Sequence, residues 1–231
     1  MSHALTDALV KGTLVSLIVF SVATWAVVLL KLVQYVRVWA GTRRFHRAFG
    51  QLNTLPNGAE IAQHRGPAAR VIRAGLSAVK EADSGDGPRG EDRLPYIENR
   101  LRQQIQEERR SLEGGLAILA SIGTTAPFVG LFGTVFGIID ALKRIGSAGS
   151  ASIDVVAGPI GEALIATGLG IAVAVPAVLA YNFFVRRGKG QFGHWEHIAA
   201  SFINLALKRG GQRLERVAPA RELAFPREAS V

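Results

Sequence analysis

Three charge-free apolar stretches decide what this chain can fold into. Gly12–Leu30 lies between Lys11 and Lys31, Gly114–Ile139 between Glu113 and Asp140, and Ala163–Val185 ends at Arg186 and Arg187. Apolar character extends upstream of the third stretch to Ile153. A bilayer core is crossed by about 20 apolar residues in a helix. Hydrocarbon offers no partner for backbone groups, so each crossing segment must satisfy them within its own helix. The chain therefore reads as an all-α membrane protein with three transmembrane helices. Composition agrees: only 19% of its 231 residues are charged, against about 25% in soluble domains. The first stretch is long for the apolar part of a cleavable signal, and no small-x-small site follows Lys31, so it reads as a retained helix.

Charge sets the orientation. The net charge is +9, which by itself would admit nucleic acid as a partner. The cations instead cluster at the ends of the spans. Lys31, Arg37, Arg43, Arg44 and Arg47 follow the first span, Arg100, Arg102, Arg109 and Arg110 precede the second, and Arg186, Arg187 and Lys189 follow the third. Only Lys11 precedes the first span, and only Lys143 and Arg144 lie between the second and third. By the positive-inside rule the N-terminus lies outside and the C-terminus is cytoplasmic. Topology accounts for the basicity, and no nucleic-acid partner is expected. The chain has no cysteine, which removes disulfides and thiol chemistry.

The expected organisation is an outer N-terminal segment over 1–11, a first span over 12–33, and a cytoplasmic helical loop over 34–113. A second span follows over 114–140, then a short outer loop over 141–152, a third span over 153–185, and a cytoplasmic extension and tail over 186–231. Within the loop, Leu52–Gly58 reads as a turn, Gly66-Pro67 as a break, and Asp83–Gly90 as a connection. Leu94, Ile97, Leu101, Ile105 and Leu112 form one apolar stripe on a helix expected to restart at Glu91 and run on past Gly114-Gly115 into the second span. Phe192, Trp195, Ala199, Phe202 and Ala206 repeat at spacings of 3, 4, 3 and 4 below the third span, the period of a packing seam. Gly210-Gly211 reads as the end of that helix.

Glu162 is the residue these runs least accommodate. A helix starting at Ser152 would bury it about 15 Å deep, where an ionised acid costs about 2.5–3.5 kcal/mol or more unless it faces a bundle interior or water. If the span begins at Ala163 instead, the carboxylate sits at the outer boundary. Gly130, Gly133 and Gly137 make a smooth strip on the second span, and Ala163, Thr167, Gly170 and Ala174 make another on the third. Both suit close helix–helix packing. Thr134 neighbours the first strip. A lone intramembrane threonine ordinarily bonds its own i−4 carbonyl, but two threonines on small-residue faces beside a carboxylate point to a polar-lined cavity. Asp140 reads as a helix end and Asp154 as boundary or loop. His194 and His197 lack a third ligand, so no metal is expected. No cofactor motif, Ser-His-Asp set, acid–base carboxylate pair or phosphate loop is apparent, and nothing argues for an enzyme.

The runs GTTAPFVGLFGTVFGIIDAL (Gly123–Leu142) and GEALIATGLGIAVAVPAVLAYN (Gly161–Asn182) together resemble the ExbB/TolQ/MotA family of proton-channel motor subunits. Thr125–Phe128 (Thr-Ala-Pro-Phe) leans toward the ExbB branch rather than TolQ. Phe136 stands where many relatives carry Trp, and Gly158-Pro159-Ile160-Gly161 replaces a frequent Pro-Gly-Ile-Ala order. The resemblance implies an inner-membrane homopentamer around the transmembrane helices of ExbD, using the proton-motive force to energise TonB for uptake of ferric siderophores and cobalamin. It implies pore-lining roles for Thr134, Glu162 and Thr167, with the essential proton-carrying aspartate on the partner. TolQ, which powers outer-membrane constriction, is the alternative within the family.

Overall fold

A computed structural model describes residues 3–49, 57–85, 87–88, 90–148 and 153–217. Every element in it is helical: α1 (His3–Phe49), α2 (Gly58–Ala62), α3 (Pro67–Ser84), a 3₁₀ turn (Gly90–Asp92), α4 (Arg93–Glu113), α5 (Leu116–Ala148) and α6 (Ile153–Val217). Three stretches, within Leu5–Phe45, Gly90–Gly146 and Val156–Lys208, are long and apolar enough to cross a membrane. The chain divides into one unit of Met1–Tyr35 and Ser111–Lys189 and another of Val36–Arg110 and Gly190–Val231.

In the second unit, burial follows the sequence stripes. Pro67 at the first position of α3 needs no N–H partner there, and Gly66 before it, at φ 136°, takes a conformation other residues avoid. α3 ends at Gly85, a left-handed C-cap with φ 92°. Ile97, Leu101 and Ile105 of α4 and Phe192, Trp195, Ala199, Phe202 and Ala206 of α6 are all buried. The helices crowd at Gly75, where a Cβ would stand 2.7 Å from Phe202 Cε1 and 2.9 Å from Leu101 Cδ2. Arg70 reaches across from α3 and forks both carboxylate oxygens of buried Glu108. That hydrogen bond raises the Arg70 guanidinium above its ordinary value, against the opposing effect of burial.

The first unit is built the other way out. Many of its large side chains point outward: Val22 is 66% exposed, Leu30 71% and Phe128 70%. Many of its buried positions are small or polar, among them Ala126, Ala163, Ala166, Ala177, Thr13 and Thr134, beside a few large ones such as Leu17, Leu119 and Phe184. Lipid tails are as apolar as leucine, so in hydrocarbon large residues gain little by turning inward, and close backbone contact drives packing instead. The inner face of α1 shows this best. Thr6, Val10, Thr13, Leu17, Thr24 and Lys31 are its buried row, at spacings of 4, 3, 4, 7 and 7, so a heptad seam carries three hydroxyls and an ammonium.

Two junctions differ from the sequence reading. α4 does not run on into α5: Gly115 adopts φ 79° and breaks the helix, and the Ile118 N–H turns back to the Gly115 carbonyl at 3.2 Å. The break strips the last carbonyls of α4 of their helical partners, and α1 supplies replacements. Lys31 Nζ donates to the Leu112 carbonyl at 2.9 Å and to Gln34 Oε1 at 2.7 Å, while Gln34 Nε2 donates to the Ser111 carbonyl at 3.0 Å. A cation at a helix C-terminus is also favoured by the helix dipole. Lys31→Met is expected to lower the unfolding free energy in detergent by about 1–3 kcal/mol, because it leaves buried acceptors unpaired; Lys31→Arg should recover part of it. The second difference lies at Gly210-Gly211, through which α6 continues to Val217.

Candidate functional site

α5 and α6 meet along their small residues. A Cβ on Gly130 would stand 2.7 Å from the Ala166 carbonyl oxygen, 3.0 Å from Thr167 Cα and 3.2 Å from Gly170 Cα. One on Gly170 would stand 2.7 Å from the Ala126 carbonyl oxygen, and one on Gly137 would stand 2.5 Å from Ala163 Cβ. A Cβ on Gly133 meets Thr13 Oγ1 at 2.8 Å and Ala166 Cβ at 3.0 Å, which brings α1 to the same seam. Pro127, Pro159 and Pro176 lie inside α5 and α6 without ending them.

The three polar residues singled out in the sequence stand in different surroundings. Thr134 is buried on the face of α5 that carries Gly130 and Gly137, since positions four and three residues away share a helix face. Its hydroxyl donates to the Leu131 carbonyl at 2.7 Å, the ordinary solution for a lone intramembrane threonine, though at i−3. Thr167 differs. Its Oγ1 is buried and makes no hydrogen bond, against the roughly nine in ten buried polar groups that find a partner. Glu162 is exposed on α6 and is itself hydrogen-bonded to nothing among the described residues. Its neighbour Ala163 is wholly buried against Gly137. Within one chain, then, Glu162 opens outward while the two threonine hydroxyls lie inside.

Asp140 is not the helix end that its position after an apolar run suggested. α5 continues to Ala148, so most of the expected loop 141–152 is helix, and 149–152 lie outside the described residues. Asp140 is buried inside the fold, where Thr6 Oγ1 donates to its Oδ1 at 3.0 Å and Arg144 Nε donates to its Oδ2 at 2.8 Å. Arg144 and Lys11 both lie within the electrostatic reach of Glu162. Sequence reading missed this cluster because Thr6 and Asp140 are 134 residues apart. The one available signal was the heptad of polar residues along α1, which a search for charge-free length passes over. Thr24, on that same row, also has a buried hydroxyl without a partner.

A model of the MotA/TolQ/ExbB proton channel family matches residues 63–197. Curated relatives carry the name biopolymer transport protein ExbB. That of Xanthomonas campestris pv. campestris is 38% identical over 179 residues, covering 74% of this chain and 71% of the relative. That of Neisseria meningitidis is 37% identical over 187 residues, covering 79% and 85%. That of Salmonella typhimurium is 33% identical over 184 residues, covering 78% and 75%. These names describe transport and proton-channel proteins, not enzymes.

Proposed function

The chain belongs to the MotA/TolQ/ExbB proton channel family, and from that premise we propose that it is an ExbB-type motor subunit of the bacterial inner membrane. In this reading it assembles as a homopentamer, takes up ExbD helices, and passes the proton-motive force to TonB-dependent uptake of ferric siderophores and cobalamin. Its N-terminus is periplasmic, and 34–113 and 186–231 are cytoplasmic. The observation that carries the proposal is where the family match falls. Residues 63–197 take in the whole of α5 and the apolar part of α6, and with them Thr134, Glu162 and Thr167.

Roles follow from the geometry. The small faces of α5 and α6 let two spans approach closely enough to leave little but backbone between them. Glu162, open on one chain, offers a carboxylate to whatever stands beside α6: a neighbouring copy, water, or a partner helix. Thr167 supplies a buried hydroxyl still in need of a partner, and Thr134 a hydroxyl whose oxygen can still accept. Such groups in hydrocarbon serve proton routes or partner recognition, because their cost is otherwise hard to explain. The proton's main acceptor is then the aspartate of ExbD.

Complementation tests this directly. Expressed together with its cognate ExbD, the chain is expected to restore siderophore-dependent growth to an ExbB-null strain and not to cure the outer-membrane defects of a TolQ-null strain. The reverse result would assign it to the TolQ branch. Growth restored in neither strain, with the protein present in the membrane, would overturn the motor assignment.

A further inference from the structure

Outside the Thr134–Glu162–Thr167 set, the first unit holds a buried carboxylate to which that reading gives no task. Asp140 is enclosed by α1 on one side, through the fully buried Thr6, and by its own helix on the other, through Arg144. Arg144 is four residues beyond Asp140, and its side chain, held by that acid, is 49% exposed. At this level α5 lies directly on α6: a Cβ on Gly137 would touch Ala163 and would stand 3.6 Å from the Pro159 carbonyl oxygen. Asp140 is one turn past Gly137 and Arg144 two turns past it, while Glu162 adjoins Ala163. Lys11, from α1, closes with Asp7 at 2.9 Å. Among the described residues Glu162 is thus the carboxylate of this group that makes no ion pair, and the two cations within its electrostatic range are each tethered to a different acid.

We propose that Asp140 is a positioning residue for Glu162. Locked by Thr6, it holds the Arg144 guanidinium at a set place beside the open carboxylate. A free arginine at a helix end samples many rotamers, and a charge-assisted hydrogen bond to a fixed acid removes that freedom in advance. The cation then acts on Glu162 from one direction whenever a proton or a partner carboxylate arrives, instead of wandering into solvent. α1 thereby has a part in the site although it contributes no residue to the α5–α6 seam at that level. This inference rests on the role given to Glu162 above, so its test reads geometry and activity separately.

The chain has no cysteine, so Glu162→Cys places a single thiol at the site. In the full complex, its reaction rates with an anionic and a cationic methanethiosulfonate are measured, and their ratio cancels accessibility and reports local charge. Adding Arg144→Gln is expected to lower the anion-to-cation ratio by about tenfold, since one fixed cation is removed and its acid is left behind. Arg144→Lys should restore most of it, and Thr6→Val, a milder change that leaves the acid in place, should give a smaller fall. An unchanged ratio in Arg144→Gln and Thr6→Val overturns the placement. With Glu162 intact, Asp140→Ala and Arg144→Gln should reduce energisation at normal membrane levels, again with rescue by Arg144→Lys. A changed ratio with full energisation overturns the positioning role while leaving the motor assignment standing. A wild-type chain that energises nothing overturns the motor assignment, and the thiol ratio still decides the geometry.

Discussion

Glu162→Ala is expected to reduce energisation to the level of a strain lacking the subunit, while the protein continues to insert and accumulate. α6 begins at Ile153, so Glu162 lies about 13 Å along a helix whose only other acids before its far end are Asp154 in the first turn and Glu196 beyond the apolar stretch. A charged side chain at such a depth destabilises an isolated span by about 2.5–3.5 kcal/mol. Removing it should therefore leave insertion intact or improve it. Glu162 makes no hydrogen bond among the described residues and its neighbours on the outward face are apolar, so alanine breaks no hydrogen-bond network there. What alanine removes is the titratable group presented to the assembly. The distinction is measurable by comparing siderophore-dependent growth with the amount of subunit in the membrane fraction. Glu162→Asp, which keeps the charge on a shorter stem, should retain partial growth. Growth at the wild-type rate in Glu162→Ala would show that this carboxylate is a boundary feature and no part of the coupling.

How much could be read without coordinates depended on whether a feature is written along the chain or across it. The apolar spans, the α4 stripe and the α6 seam are periodic, so Ile97, Leu101, Trp195 and Phe202 could be assigned to a core from spacing alone. The start of α3 was written locally by Gly66-Pro67. The inner face of α1 was not legible, because inside and outside exchange roles when lipid replaces water. Thr6, Thr13, Thr24 and Lys31 are buried where a reader trained on soluble helices looks for leucine. Asp140 was misread for a related reason: an acid closing an apolar run looks like a terminus, and the partners that hold it inside the fold include a threonine 134 residues away as well as Arg144. Gly115 was misjudged because a glycine pair in a strong helical context admits either continuity or a break, and the difference lies in capping by Lys31 and Gln34 from another helix. For the candidate site, the residue types stood out by being polar in apolar runs. Their states did not: nothing in sequence separates Thr134, whose hydroxyl is taken by Leu131, from Thr167, whose hydroxyl is not.

Gly130→Leu should be the most damaging single change in the apolar unit. The atoms around the missing Cβ are the Ala166 carbonyl oxygen at 2.7 Å, Thr167 Cα at 3.0 Å and Gly170 Cα at 3.2 Å. All three belong to the backbone of α6, so no rotamer change can make room and the helices themselves must part. Separation would be felt along the whole seam, because Gly123 against Val178 and Gly137 against Ala163 are equally close. In water a loosened apolar contact is partly held by the hydrophobic effect. In hydrocarbon that force is missing, and the dispersion contacts of close approach fall off within an ångström. Overpacking of this kind costs about 3 kcal/mol or more where the neighbours are rigid. The expected result is a large fall in the unfolding midpoint in detergent and loss of energisation, with Gly170→Leu behaving alike since it meets the Ala126 carbonyl oxygen at 2.7 Å. Gly168→Leu provides the contrast. It lies on the same α6, two residues before Gly170, and a Cβ there meets nothing within 4 Å, so it should leave the fold of the single chain unaltered. Equal damage from Gly130→Leu and Gly168→Leu would mean that helix propensity, not backbone approach, sets the cost. A harmless Gly130→Leu would mean that α5 and α6 are not held at this crossing.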